Sequence, residues 1–123
     1  MRTLSIAVGG AVGALLRFWL SNGVHHLLGR DFPYGTLSVN AVGSFSMGLL
    51  YVLLFERMDV SIETRAFIMI GLLGAFTTFS TFSIETFNLL EAGEPMKAAL
   101  NVVISVVLCF VLCWFGIVIG REL

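Results

Sequence analysis

Charged residues are scarce in this sequence. Of its 123 residues only 12% are Asp, Glu, Lys or Arg, whereas 58% are hydrophobic, and the mean hydropathy is +0.98. A soluble domain carries roughly 25% charged residues, because its surface has to face water. So few charges cannot coat a water-facing globule, whereas a surface that faces lipid needs none. The composition therefore predicts a membrane protein.

The sequence also has almost no net charge and lacks the residue clusters of common active sites. Seven Lys and Arg against eight Asp and Glu give a net charge of -1, so no basic surface exists to attract nucleic acid. Cys109 and Cys113 lie one helical turn apart in an apolar run, a spacing that fits neither a disulfide framework nor a zinc site. No His–acid–nucleophile set is present, which disfavours an enzyme. His25 and His26 fall in a predicted turn, where we expect them to be solvated.

Charged residues divide the chain into four apolar stretches. Crossing the hydrocarbon as a helix takes about 20 mainly apolar residues. We therefore predict one unit, residues 1–123, with four transmembrane helices at about 3–22, 35–55, 65–90 and 96–120. Pro95 suits the first turn of the fourth helix. The first apolar stretch continues past Arg17 without a convincing cleavage site, so we expect it to be retained.

The positive charges are nearly balanced between the two sides of the predicted helices. One side carries Arg2, Arg57, Arg65 and Arg121, and the other carries Arg30, Lys97 and, if it reaches outward, Arg17. Positive residues in short loops set topology, so this balance permits insertion in both orientations. Four short helices enclose little polar volume, and we expect an oligomer. Gly9 and Gly13 form a GxxxG pair that permits close helix packing, either within one subunit or between subunits.

Hydroxyl residues are unusually dense in the third predicted helix. Five of the seven residues in 77–83 are Ser or Thr. Gly74 precedes them in the middle of the helix, and we predict that the helix is broken near Gly74–Thr77, which frees backbone carbonyls. Free carbonyls at membrane depth occur where they are buried or coordinate something. A small hard cation such as sodium suits oxygen ligands of this kind.

Two aromatic residues lie among these hydroxyls. Phe79 and Phe82 are three residues apart and share one helix face. The positive edge of a phenyl ring favours an anion without a formal charge, and the hydroxyls of Thr77, Ser80 and Ser83 add donors nearby. The alternatives are ordinary packing for the rings and hydrogen bonds to the preceding turn for the hydroxyls.

Polar residues in the other helices supply further candidates. Asn40 either makes an interhelical hydrogen bond or donates a hydrogen bond to an anion, and the sequence favours neither. The fourth helix carries a polar stripe that lines a path or faces a neighbouring helix: Asn101, Ser105, Cys109 and Cys113. Arg17 and Glu85 are the only formal charges well inside the spans. Such residues are functional candidates by default, unless they reach a membrane interface.

Three segments together resemble the Fluc (CrcB) family of fluoride channels. They are residues 9–17 (GGAVGALLR), 35–43 (GTLSVNAVG) and 77–83 (TTFSTFS) with Glu85. The resemblance covers essentially the whole chain. It implies an antiparallel, dual-topology homodimer of four-helix subunits in the bacterial inner membrane, with two fluoride pores and a sodium ion at the dimer centre. It also implies passive export of fluoride from the cytoplasm, which protects against fluoride toxicity.

The resemblance also implies roles for individual residues. Gly74 and Thr77 would supply backbone carbonyls to the sodium ion, and Arg17 would be the family's arginine of the first helix. The fluoride pore would be lined by Asn40, Phe79, Phe82, Ser80, Thr81, Ser83, Ser105 and Asn101. Some members have a tyrosine where this chain has Asn101, so the pore differs there.

Two other classes compete with a channel. Small multidrug transporters also have four helices and form antiparallel dimers, but they use a glutamate in the first helix. Here Glu85, in the third helix, is the only such candidate. A non-transporting assembly subunit would explain the small-residue packing but not the hydroxyl and aromatic segment.

Overall fold

The computed structural model describes all 123 residues, and every regular element in it is helical. Four helices are long and apolar enough to cross a membrane. They are Arg2–Leu28, Tyr34–Arg57, Ile62–Glu91 and Pro95–Glu122, called the first to fourth spans below. The prediction of an all-helical chain with four membrane-capable helices is confirmed.

The first span continues past its predicted end at Asn22. It ends at Leu28, where Gly29 takes a φ of 85° and its N–H donates to the carbonyl of His25 at 2.8 Å. Glycine readily adopts this positive φ, whereas Gly23 stays helical and does not end the span. His25 and His26 are therefore helical. The expected solvation of His25 is wrong, since only 8% of its surface is exposed.

The third span is interrupted. It is α-helical over Ile62–Arg65, π-helical over Ala66–Leu72 and α-helical over Leu73–Phe76. The chain then leaves the helix at Thr77 and Thr78, which are extended, before the second half of the span begins as Phe79–Glu91. The break therefore begins at Thr77, within the predicted region Gly74–Thr77, whereas Gly74 itself stays helical.

The second and fourth spans are regular except at one end. The second span is α-helical over Tyr34–Tyr51 and finishes in a π-helical segment, Val52–Arg57. The fourth span is one α-helix, Pro95–Glu122, with proline in its first turn. These two spans pack extensively against each other, as do the first and third spans.

Glycines set the close approaches between spans. A Cβ on Gly9 or Gly13 would collide with the carbonyl oxygen of Phe67 or Leu72 in the third span. The GxxxG pair therefore packs within the subunit, which decides between the two alternatives. Gly48 makes a similar backbone contact with Cys113 in the fourth span.

Candidate functional site

Asn40 and Arg17 reach the break in the third span from two other spans. The N–H of Thr78 donates to Oδ1 of Asn40 at 2.8 Å, and Nδ2 of Asn40 donates to the carbonyl of Thr78 at 3.0 Å. Nε of Arg17 donates to the carbonyl of Ala75 at 3.0 Å. One amide side chain thus satisfies both backbone groups of Thr78. Of the two alternatives for Asn40, the structure shows the first: its side chain makes interhelical hydrogen bonds.

Four carbonyls, those of residues 74–77, lose their helical donors at the break, and the carbonyls of Gly74 and Thr77 are two of them. In an uninterrupted helix the N–H of Thr78 would donate to Gly74, and the N–H of Thr81 would donate to Thr77. The first N–H donates to Asn40 instead, and the second donates to Oγ1 of Thr78 at 3.1 Å. The carbonyls of Gly74 and Thr77 are therefore released from the helical pattern, and Gly74 is exposed on the subunit surface.

Thr78 is the N-cap of the second half of the third span. Its Oγ1 accepts the N–H of Thr81, donates to Oγ1 of Thr81 at 3.1 Å and lies 3.3 Å from Oγ of Ser80. The sequence interpretation counted Thr78 among the hydroxyls but gave it no role. A threonine directly before a helical segment is an ordinary capping pattern that would have identified it.

Two of the predicted donor hydroxyls donate to their own helix. Oγ1 of Thr77 donates to the carbonyl of Leu73 at 3.1 Å, and Oγ of Ser83 donates to the carbonyl of Phe79 at 2.9 Å. A hydroxyl carries one proton, so neither group has a second proton to offer an anion in this arrangement. The alternative of bonding to the preceding turn is realised at both positions.

A cavity of about 360 Å³ lies beside the break. Of the residues predicted for the site, its wall contains Asn40, Thr77, Phe79, Phe82 and Ser105. The two ring centroids are 5.3 Å apart with planes inclined by 49°. Phe82 is 8% exposed, whereas Phe79 is 76% exposed and extends from the subunit surface.

The remaining wall is formed by small, sulfur-containing and apolar residues. They are Gly43, Ser44, Met47, Thr78, Val106, Cys109 and Cys113. The polar stripe of the fourth span therefore faces this cavity from Ser105 onward, and no Lys, Arg, Asp or Glu lines it.

Three predicted pore residues, Ser80, Thr81 and Ser83, are not part of that wall, and neither is Asn101. Asn101 is 2% exposed and donates from Nδ2 to Oγ1 of Thr86 at 2.8 Å. Thr86 donates in turn to the carbonyl of Phe82 at 2.8 Å. Asn101 thus lies behind the wall and ties the fourth span to the half-helix that carries Phe82.

Glu85 faces a second cavity. This cavity has a volume of about 250 Å³ and is lined by His25, Arg30, Pro33, Glu85, Asn88 and Leu89. Oε1 of Glu85 is enclosed and accepts no hydrogen bond. The structure therefore separates the two charged candidates, with Arg17 at the break and Glu85 in the second cavity. The sequence interpretation gave no role to His25 or Arg30 at this site.

These features define a class of protein. Three of the four membrane-capable helices line a cavity with polar and aromatic walls. The cavity lies beside a helix broken at its middle, as in a small multi-pass membrane channel. Residues 4–117 match the family described as "CrcB-like protein, Camphor Resistance (CrcB)". The chain therefore belongs to the CrcB-like family, and the resemblance seen in the sequence is confirmed.

Relatives from three bacteria carry the same name, "Fluoride-specific ion channel FluC". The relative from Methylococcus capsulatus is 56% identical over 119 residues, which are 97% of this chain and 52% of that protein. The relative from Geobacter sulfurreducens is 52% identical over 120 residues, 98% of this chain and 97% of that protein. The relative from Magnetococcus marinus is 50% identical over 121 residues, 98% of each. The chain thus spans about half of the first relative and nearly all of the others. All three are named as ion channels, not as enzymes.

Proposed function

We propose that this chain is a subunit of a fluoride-selective channel that lets fluoride leave the cytoplasm passively. The observation that carries the proposal is the cavity where Asn40, Phe79 and Phe82 meet beside the broken span. The names of the relatives supply the anion. The protein belongs in the bacterial inner membrane, where export of fluoride protects the cell from its toxicity.

The cavity offers fluoride donors of moderate strength. Nδ2 of Asn40 carries two N–H groups and gives one to Thr78, so the other is free to donate to an anion. The ring edges of Phe79 and Phe82 carry partial positive charge. Conduction requires binding that is favourable enough to enter and weak enough to leave. A wall without a formal cation meets the second requirement, because it does not trap the ion.

The freed carbonyls at the break fit a sodium ion. Gly74 and Thr77 are the two residues whose carbonyl oxygens lose their helical donors to Asn40 and Thr78, and oxygen ligands suit a small hard cation. We assign these two carbonyls to a structural sodium site at a dimer interface. Bound there, sodium would supply a positive charge at the centre of the membrane. Arg17 stabilises the same backbone segment by donating to the carbonyl of Ala75.

A second subunit completes the proposed channel. Gly74 and Phe79 are both exposed on the surface of one subunit, although the proposal gives each of them a buried role. The near balance of Lys and Arg permits both orientations of insertion. We therefore propose an antiparallel homodimer with two pores, in which Gly74 and Phe79 lie against the other subunit.

Anion efflux from liposomes tests the function. Liposomes that hold the purified protein are loaded with fluoride, and an electrode records the loss of fluoride after a potassium ionophore removes the charge imbalance. We expect rapid fluoride loss that protein-free liposomes do not show. A monodisperse, folded protein that releases no fluoride would refute the proposal.

A further inference from the structure

The second cavity presents two hydrogen-bond donors side by side. The backbone N–H of Gly35 donates to Nε2 of His25 at 2.9 Å. A backbone N–H can only donate, so Nε2 has to carry the lone pair and the proton of the neutral ring lies on Nδ1. Nδ1 of His25 is 3.2 Å from Nη1 of Arg30, which is also a donor only. The contact is therefore not a hydrogen bond, and it places two N–H donors side by side.

The opposite wall presents an acceptor without a donor. Oε1 of Glu85 is enclosed and unpaired, although Arg30 lines the same cavity. Glu56 and Arg121 form the only ion pair in the chain, so the carboxylate and the Arg30 guanidinium are not in direct contact. Buried polar groups without partners are rare and need an explanation. Here donors and an acceptor face one cavity of about 250 Å³ without meeting.

The second cavity adjoins the same half-helix as the first. Phe82 lines the larger cavity and Glu85 lines the smaller one, and residues three apart on a helix are neighbours. Asn88, three residues further, also lines the smaller cavity. His25 and Arg30 lie near the end of the first span and in the following loop. The smaller cavity therefore lies further along the half-helix from the ring, towards the end of the span.

We infer that the second cavity is the mouth of the anion path, in which His25 and Arg30 bind the anion and Glu85 weakens its binding. The inference rests on the proposed function and extends it. The Nδ1–H of His25 and the guanidinium of Arg30 replace part of the hydration shell of a small anion. The Glu85 carboxylate repels the anion, so the ion is released toward Phe82 instead of being held.

A structural ion pair is the rival explanation of the same residues. If Arg30 and Glu85 served only to stabilise the fold, removing either charge would lower the maximal rate through loss of folded protein and leave the half-maximal fluoride concentration unchanged. An anion site predicts opposite shifts in that concentration, because Arg30 attracts the ion and Glu85 repels it. The sign of the two effects therefore separates the explanations.

The test measures fluoride efflux from liposomes over a range of fluoride concentrations and determines the concentration that gives half-maximal rate. Arg30→Gln is expected to raise that concentration about fivefold and Glu85→Gln to lower it about fivefold, the factor for one charge at about 4 Å through water. Arg30→Lys keeps the positive charge, so its half-maximal concentration should stay close to that of the unsubstituted protein. Lys97→Gln and Glu91→Gln are matched controls, since neither residue lines the cavity.

His25 has a matched control beside it. His25→Gln should raise the half-maximal concentration, whereas His26→Gln should not, because His26 is exposed and does not line the cavity. Changes of the same sign in Arg30→Gln and Glu85→Gln, or no difference from the controls, would overturn the inference while the unsubstituted protein still conducts fluoride. If the unsubstituted protein does not conduct fluoride, the proposed function fails and the anion site fails with it.

Discussion

Replacing Asn40 with alanine should both destabilise the subunit and change the break in its third span. The substitution removes the acceptor of the Thr78 N–H and the donor to the Thr78 carbonyl, at 2.8 and 3.0 Å. The freed N–H of Thr78 is then able to donate to Gly74, as in a continuous helix. That rearrangement would take away one of the two carbonyls assigned to sodium, so fluoride conduction should fall together with stability.

The size of the stability effect follows from the two lost hydrogen bonds. A typical intramolecular hydrogen bond contributes about 0.5–1.5 kcal/mol, and a buried group left unpaired costs about 1–3 kcal/mol. Interhelical hydrogen bonds in membranes average about 0.6 kcal/mol, and Thr78 is only half-buried. We therefore expect a loss of about 1–3 kcal/mol in the free energy of unfolding.

Reversible unfolding in mixed micelles measures this loss, and efflux from liposomes measures conduction. Val42→Ala is the control, since Val42 lies in the same span and is exposed. Asn40→Asp adds a second comparison: it keeps an acceptor for the Thr78 N–H but places a second oxygen against the Thr78 carbonyl. Equal unfolding free energies for Asn40→Ala and Val42→Ala would refute the role assigned to the amide.

Three further substitutions test other parts of the structure. Gly48→Ala places a Cβ against the Cys113 carbonyl and should lower the free energy of unfolding in micelles by about 1–3 kcal/mol. Gly23→Ala has open space around it and should not lower it. Equal stability of the two variants would contradict the close packing at Gly48. Thr78→Ala should lower stability by about 0.5–2 kcal/mol through loss of the cap, and Thr78→Ser should retain it; an equal loss in both would argue against capping. Phe82→Ile should slow fluoride efflux about threefold to tenfold by removing a ring edge. Phe87→Ile, on the exposed side of the same half-helix, should leave efflux unchanged. Efflux unaffected by Phe82→Ile would exclude the ring-edge role.

The number of spans and the place of the break follow from local features of the sequence. Sparse charges mark the span ends because charged groups are costly in hydrocarbon. Gly74 in the middle of the third predicted helix indicated a break near Gly74–Thr77, since glycine weakens a helix interior. The exact position at Thr77 and Thr78 also depends on Asn40, which takes the N–H of Thr78. That contact joins residues 38 positions apart and is not visible in either segment alone.

Contacts between distant residues also explain what the sequence did not predict. His25 looked like a solvated residue of a turn, yet the N–H of Gly35 holds its ring in a buried position. The spacing of Asn101 from Ser105 left open whether Asn101 lines a path or faces a neighbouring helix, and in the structure its amide donates to Thr86 of the neighbouring span. Periodicity identifies the face on which a residue lies. It does not identify which partner, or which cavity, that face meets.

The most direct test of the account measures two anions in the same liposomes. Liposomes with the purified protein are loaded with fluoride and chloride together, and two electrodes follow both ions after the ionophore is added. A wall of weak donors fitted to a small, tightly hydrated anion predicts fast loss of fluoride with chloride retained. Loss of both anions at similar rates would contradict fluoride selectivity, and loss of neither would contradict a channel.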